Sequence, residues 1–221
     1  MRRRELAALL GPGVRAGLPL GAAGLLLGIS FGVVAEPVMG HVAPVVMSAI
    51  VFAGAAQFAA TAVLADGGSA ATAIVAGILL NLRFIPMGIA IAPSLHGRAA
   101  GRAAVGQGLV DASWAIASRG GGRYDIPYML GATAVQYPAW VAGAAIGVLA
   151  GDVIGNPEDL GLDAIFPAFF LALLANELRD GMSAGAALIG AALALALIPF
   201  VPPGIPVLAA CAGAALGLVR R

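Results

Sequence analysis

Asn81 and Arg83 stand inside an otherwise apolar run from Ser69 to Ala92, with Pro86 three residues beyond the arginine. A guanidinium at the centre of a membrane-length segment costs roughly 2.5 to 3.5 kcal/mol to insert. A segment carries one where it meets a counter-ion, a wet cavity or an anionic ligand, so Arg83 is a candidate to bind a carboxylate or to form an internal ion pair. Asp111 is the candidate partner, as counter-ion or as proton acceptor. Gln107, Asp111, Trp114 and Ser118 recur at i, i+4, i+7 and i+11 and read as one polar stripe on a helix. The competing reading of that stripe is an amphipathic helix lying on a membrane surface.

Three further groups could touch a ligand. Gly54, Gln57 and Thr61 share a face at i, i+3 and i+7. A primary amide in lipid must find partners, either across to another helix or in a cavity. Gln136-Tyr137-Pro138 is a second polar site, where Pro138 removes the partner of the Ala134 carbonyl. Asn81 and Arg83, two residues apart, point away from each other on a regular helix. Pro86 crowds the Leu82 carbonyl, and a kink or unwound turn there would bring both side chains to one cavity. Otherwise the span ends early and Arg83 reaches headgroups or water.

The elements that must position these groups are long and apolar. The chain has 221 residues, 61% hydrophobic and 10% charged. A soluble domain carries about 25% charged residues, so too little polar surface is present to cover a water-soluble globule. The chain reads as a single all-α polytopic membrane domain over 1–221, with seven or eight transmembrane helices, some short or broken. The expected spans are Ala16–Ala35, Val42–Ala65, Ser69–Ala92, Ala103–Ser118, Tyr128–Ala150, Ala164–Ala175, Ala184–Phe200 and Gly204–Val219. The fourth and sixth are short for a crossing. Gly11, Pro12 and Gly13 are expected to interrupt the chain before the first span, and Pro202-Pro203-Gly204 marks a turn. Met1-Arg2-Arg3-Arg4 reads as the basic cytoplasmic flank of a retained span, because the apolar run is too long for a signal peptide.

Arginine placement tests the topology. An eight-span arrangement puts Arg2–Arg4, Arg119, Arg123, Arg179, Arg220 and Arg221 on one side, and the acidic loop Asp152–Asp163 and the arginine-free loop Glu36–His41 on the other. Arg98 and Arg102 then fall on the wrong side. They join the rest if the fourth span only dips into the membrane. Gly24-xxx-Gly28-xxx-Gly32 is matched by Gly143-xxx-Gly147-xxx-Gly151, and Asp66-Gly67-Gly68-Ser69-Ala70 by Asp180-Gly181-Met182-Ser183-Ala184. These landmarks read as a duplicated unit with halves of about 14–118 and 128–219, against chance matching in an alanine- and glycine-rich chain. Glycines four apart also let helix backbones approach closely, so the ladders serve packing.

Several classes are excluded. A net charge of +1 gives no nucleic-acid footprint. No phosphate-binding loop with lysine and no Gly-x-Ser-x-Gly motif is present, so the chain reads as neither an ATPase nor a hydrolase. The lone Cys211 and the isolated His41 and His96 provide no metal site and no cofactor is implied. Asn176-Glu177-Leu178-Arg179-Asp180 reads as a span end whose charges satisfy one another.

Val51-Phe52-Ala53-Gly54-Ala55-Ala56-Gln57-Phe58, Leu80-Asn81-Leu82-Arg83 with Met87-Gly88, and Asp111-Ala112-Ser113-Trp114-Ala115 together resemble the AzlC family, as do Gly17-Leu18-Pro19 and Phe166–Arg179. The resemblance covers nearly the whole chain. It implies a multi-pass inner-membrane exporter of hydrophobic amino acids such as valine, leucine and isoleucine, paired with a small AzlD-type membrane subunit and driven by an ion gradient. Ala56 stands where a serine is often seen, Ala112 where a second acid often follows the aspartate, and Phe84 where a more polar residue follows the arginine. On this reading Arg83 meets the substrate carboxylate or pairs with Asp111. Gln57 and Asn81 bind the ammonium or line the path, Gly54 leaves room for the side chain, and Gln136 adds a second polar contact. The alternative from another class is a scaffold or assembly subunit that transports nothing itself.

Overall fold

The computed structural model describes residues 3–154, 168, 171, 172, 174, 175, 178, 181–201 and 205–210. Most of the sixth and eighth expected spans, the loop beyond Ile154, Glu177, Arg179, Asp180, Pro202–Gly204, Cys211 and the terminal arginines lie outside the described residues. Those described are helical apart from turns and one isolated bridge, Ser118 to Tyr124. The helices are α1 Arg3–Met39, α2 Ala43–Val51, α3 Gly54–Ala65, α4 Ala70–Asn81, α5 Phe84–Ile91, α6 Ala99–Gln107, α7 Asp111–Ala117, α8 Ile126–Ile154, α9 Gly181–Leu197 and α10 Ile205–Ala210. A single 3-10 turn, Ala92–Ser94, extends α5. Among the described residues three stretches are long and apolar enough to cross a membrane: Leu10–Met39, Ala70–Ser94 and Ile126–Gly151.

α1 and α8 form the axis of the molecule. Gly28 and Gly32 stand against Gly143 and Gly147, a constant offset of 115 residues, so the two helices run parallel. A methyl group on Gly28 would sit 2.5 Å from the Trp140 carbonyl oxygen and 3.1 Å from the Gly143 Cα. Only glycine permits that approach. The ladders noted in the sequence therefore pack against one another over their Gly28/Gly32 and Gly143/Gly147 rungs, while Gly151 faces open space. The expected break at Gly11–Gly13 does not occur. α1 runs unbroken through Pro12, Pro19 and Pro37, and α8 through Pro138. A proline forfeits one ladder bond, and close packing along the partner helix keeps the segment straight enough to remain one element. The loop expected at Glu36 is likewise the last turn of α1, closed by Gly40 at φ +72°.

Measured along this axis, the second expected span is a hairpin and not a crossing. α2 descends from the Met39 end until Phe52 and Ala53 leave helical geometry, at φ +39° and −145°. α3 then climbs back. Gly77 of α4 lies against Ala56, Gly68 folds onto Val63 and a four-residue turn joins α3 to α4, so these two helices are antiparallel. α4 and α5 descend the whole way: Ile91 packs with Met129, and Ser94 Oγ accepts from the Tyr124 N–H at 3.1 Å, beside the start of α8. Since α4–α5 descends, α3 ascends, and α2–α3 enters and leaves at the Met39 end.

The fourth expected span is a second hairpin from the opposite end. α6 rises from Arg98 to Gly108, whose carbonyl accepts from Thr133 Oγ1 at 2.8 Å. α7 returns from Asp111 to Ala117, whose carbonyl accepts from the Asp125 N–H. The polar stripe on one helix is therefore overturned. The helix breaks at Gly108–Val110, Gln107 is exposed on α6, and Ser118 is already extended at φ −63°, ψ 128°. This dip also removes the charge conflict. Arg15, Arg98, Arg102, Arg119 and Arg123 all lie at the end where α1 and α8 begin, and among the described arginines Arg83 alone lies away from it.

Candidate functional site

Three chain interruptions meet at one place. The α2–α3 tip contributes Phe52, Ala53, Gly54 and Ala55; the α4–α5 junction contributes Arg83; the α6–α7 tip contributes Val110, Asp111 and Ala112. Leu20, Gly24 and Leu27 of α1 and Gln136 and Trp140 of α8 complete the wall of a cavity of about 70 Å³. That volume holds a few waters. Gln136 lies about 15 Å along α8 from Ile126 at 1.5 Å per residue, which is mid-depth for a hydrocarbon core about 30 Å thick.

Each interruption has a local cause. Pro86 cannot donate to Leu82, and the Leu82 carbonyl accepts instead from the Ile85 N–H at 3.0 Å. That tight turn replaces the free carbonyl expected there, and leaves Arg83 between two helices with near-helical dihedrals. Phe52 is the only non-glycine residue at positive φ among those described. Such a position costs on the order of 1–3 kcal/mol. Its ring stands edge-on to Tyr137 at 5.1 Å, and the Tyr137 hydroxyl donates to the Ala49 carbonyl at 2.8 Å, which fixes the tip against α8.

The central charges pair. Arg83 Nη2 donates to Asp111 Oδ2 at 2.9 Å, with the side chains 13% and 24% exposed. The Arg83 guanidinium also lies 5.1 Å from the Phe84 ring centre, a cation–π contact. Arg83 Nε and Gln136 Nε2 are buried without a protein partner. In a native structure such atoms are few, and each asks for a ligand, water or second conformation. At α3 the first backbone bond runs from Gln57 N to Ala53 O, so the N–H groups of Gly54, Ala55 and Ala56 have no helical acceptor, and Ala53 has no side chain to cap them. The cavity therefore joins an ion pair, a set of unmet donors and an apolar wall.

The sequence-derived candidates divide. Gly54, Arg83, Asp111 and Gln136 line this cavity. Gln57 does not: its Oε1 accepts from Trp140 Nε1 at 2.9 Å and its Nε2 donates to Ser48 Oγ at 3.2 Å, in complete burial. Its amide is used between helices, so the ligand role expected for it is replaced by a structural one. Asn81 faces the other way, as a regular helix requires, into a separate apolar cavity of about 320 Å³ between α2, α3 and α4. Its Oδ1 is buried without a partner. Phe52, Trp140 and Leu27 were not foreseen. Trp140 lies 83 residues from Gln57 in sequence, and nothing local marks that pairing. Among the described residues no group of His, Cys, Asp and Glu could hold a metal ion.

The family model described as AzlC protein matches residues 19–154, the stretch from the cavity-lining turn of α1 to the end of α8. The chain belongs to the AzlC family. An uncharacterized membrane protein of Archaeoglobus fulgidus is 34% identical over 89% of this chain and 88% of its own. The branched-chain amino acid transport protein AzlC of Bacillus subtilis is 27% identical, over 81% of this chain and 72% of its own length. The inner membrane protein YgaZ of Escherichia coli is 32% identical, over 66% and 64%. No solved structure matches the chain significantly. This AzlC-family chain is thus a helical membrane protein of a transport family, and the matched region contains both hairpins and the Arg83 junction.

Proposed function

We propose that this chain is a secondary transporter that exports branched-chain or similar hydrophobic amino acids across the inner membrane by alternating access, together with a small AzlD-type subunit. The observation that carries this reading is the meeting of two opposed hairpin tips and a broken helix around the Arg83–Asp111 pair. Transporters bind substrate where helices are discontinuous, because unwound backbone is tolerated at membrane depth only where it faces a cavity. Leu20, Leu27, Phe52 and Trp140 supply an apolar wall for the side chain, and the polar face around Asp111 and Gln136 suits the charged end of an amino acid. The arginine-rich end is cytoplasmic by the positive-inside rule, so α6–α7 is the cytoplasmic hairpin and α2–α3 the external one. The name of the Bacillus subtilis relative supports the substrate class.

The test is efflux of labelled valine from loaded cells that carry or lack this chain with its small partner. Faster efflux with the protein is expected; equal rates overturn the reading. Arg83→Ala is expected to abolish efflux while leaving membrane insertion normal, and efflux at the normal rate removes Arg83 from the site.

A further inference from the structure

We infer that the substrate carboxylate is held by the N-terminus of α3 and the Gln136 amide, not by Arg83. This rests on the reading of the central cavity as an amino-acid site.

Arg83 is already committed. Its Nη2 is bonded to Asp111, and the two charges cancel, so an incoming carboxylate gains little there without giving up that bond. Donors without acceptors lie elsewhere in the cavity. Gly54 and Ala55, which line the cavity, open a twelve-residue helix whose first N–H groups lack helical acceptors, and that end carries the positive pole of the helix dipole. Gln136, 6% exposed, lines the same cavity with Nε2 unpartnered. These are independent features of two helices, and both present hydrogen to one space. The chemistry that satisfies several convergent N–H groups is an anion with two or more acceptor oxygens, and a carboxylate fits a space of this size. Gly54 and Ala55 carry almost no side chain, so such a group can approach the backbone.

The ligand's other end is then fixed. Asp111 Oδ2 is held by Arg83, which leaves Oδ1 for an ammonium. Arg83 becomes a positioning residue that aims Asp111. The carboxylate and ammonium anchored in this way direct the side chain toward Leu20, Leu27, Phe52 and Trp140. The class of ligand is a free α-amino acid with an apolar side chain, and its carboxyl group must be ionised.

The test places a reporter thiol at the α3 N-terminus, by Ala55→Cys in a Cys211→Ala background, in the full chain with its small partner in membranes. The alkylation rate of that thiol by N-ethylmaleimide is measured with millimolar valine, valinamide, isobutylamine or 3-methylbutanoate. Valine is expected to slow alkylation at least about tenfold and 3-methylbutanoate to slow it partly. Valinamide and isobutylamine, which lack an ionised carboxyl, are expected to do nothing. Adding Gln136→Glu, which swaps a donor for an acceptor, is expected to remove the protection by valine. Equal protection by valine and valinamide overturns the inference, as does protection that survives Gln136→Glu. If 3-methylbutanoate protects through Gln136 but the unmodified protein exports no amino acid, the carboxylate site stands and the transport reading falls. If no carboxylate protects while valine efflux is normal, the transport reading stands and the carboxylate site falls.

Discussion

The two hairpins meet at the same cavity but are held by different physics. The α2–α3 hairpin is tied to α8 by the buried Trp140 to Gln57 hydrogen bond and braced within itself by Gln57 to Ser48 and Thr61 to the Gln57 carbonyl, all neutral. Phe31 stacks on Trp140 and meets Phe58 edge-to-face beside that lock. The α6–α7 hairpin is held at its tip by the Arg83–Asp111 pair and by the Ser113–Thr133–Gly108 bonds, while α6 has no buried residue among those described. A neutral network in a dry site does not respond to a zwitterion. An ion pair lining a cavity does, because an incoming ammonium shares Asp111 with Arg83. The comparison assigns shape to the body of α2–α3, of which only the tip faces the cavity, and charge response to α6–α7.

The largest expected effect strikes the responsive hairpin. Asp111→Asn leaves a buried guanidinium without its counter-ion, a loss of about 3–5 kcal/mol for a buried pair. Valine efflux is expected to fall at least about a hundredfold. Adding Arg83→Gln removes the stranded charge, so thermal stability in detergent is expected to return while efflux does not. Recovery of efflux in the double variant would end the distinction between the hairpins.

The next effect strikes the lock. Gln57→Ala strands the Trp140 indole N–H and the Ser48 hydroxyl, each worth about 1–3 kcal/mol. A melting temperature lower by about 4–24 °C is expected, at roughly 2–4 °C per kcal/mol for a chain of this length, with the half-saturation concentration for valine unchanged. A shift in half-saturation larger than the loss of folded protein would return Gln57 to the ligand site.

The smallest effect lies outside both hairpins. Burial pushes the Asp125 carboxyl up, but the hydrogen bonds from Arg119 and the Tyr128 N–H and the Arg119 charge outweigh it and hold the group below the ordinary carboxylate range. A depressed carboxylate stabilises the fold above its unfolded pKa and loses that contribution as pH falls through its folded pKa. The pair is 47% and 38% exposed, so solvent screening keeps it under about 1 kcal/mol. Asp125→Asn is expected to lower the melting temperature slightly at pH 7 and to match the parent once pH drops below the carboxylate range. An equal deficit at both pH values would show that charge is not the cause.

How much of this was legible depends on what each signal measures. Arg83 could be singled out because a charge in an apolar run has a large, context-free cost, and Asp111 is the acid that lies inside the next expected span. Gln57 was misassigned because an amide's need for partners does not say whether they are side chains or ligand. The external hairpin was hidden. Val42–Ala65 is long enough to cross, and nothing in Val51-Phe52-Ala53 announces a left-handed turn; the break exists because Tyr137 and the α8 surface support it. The cytoplasmic hairpin did leave a trace. The stripe from Gln107 to Ser118 was periodic by accident, but Arg98 and Arg102 would not fit a fourth crossing, and that conflict was the true signal. Pro12 and Pro138 suggest breaks that α1 and α8 do not show, since tertiary packing overrides a single missing donor.

The glycine-to-glycine contact between α1 and α8 also sets a timetable. Gly28 must wait for Gly143, and Gly32 for Gly147. At about 5–20 residues per second of synthesis, α1 spends roughly 6 to 23 s in the membrane before its partner exists. Neither hairpin has its α8 anchor until then, since Tyr137, Trp140 and Thr133 all lie on α8. The cavity is therefore one of the last features to form, and a ribosome stalled before Ile126 leaves a chain with two crossing segments, α1 and α4–α5, and no site.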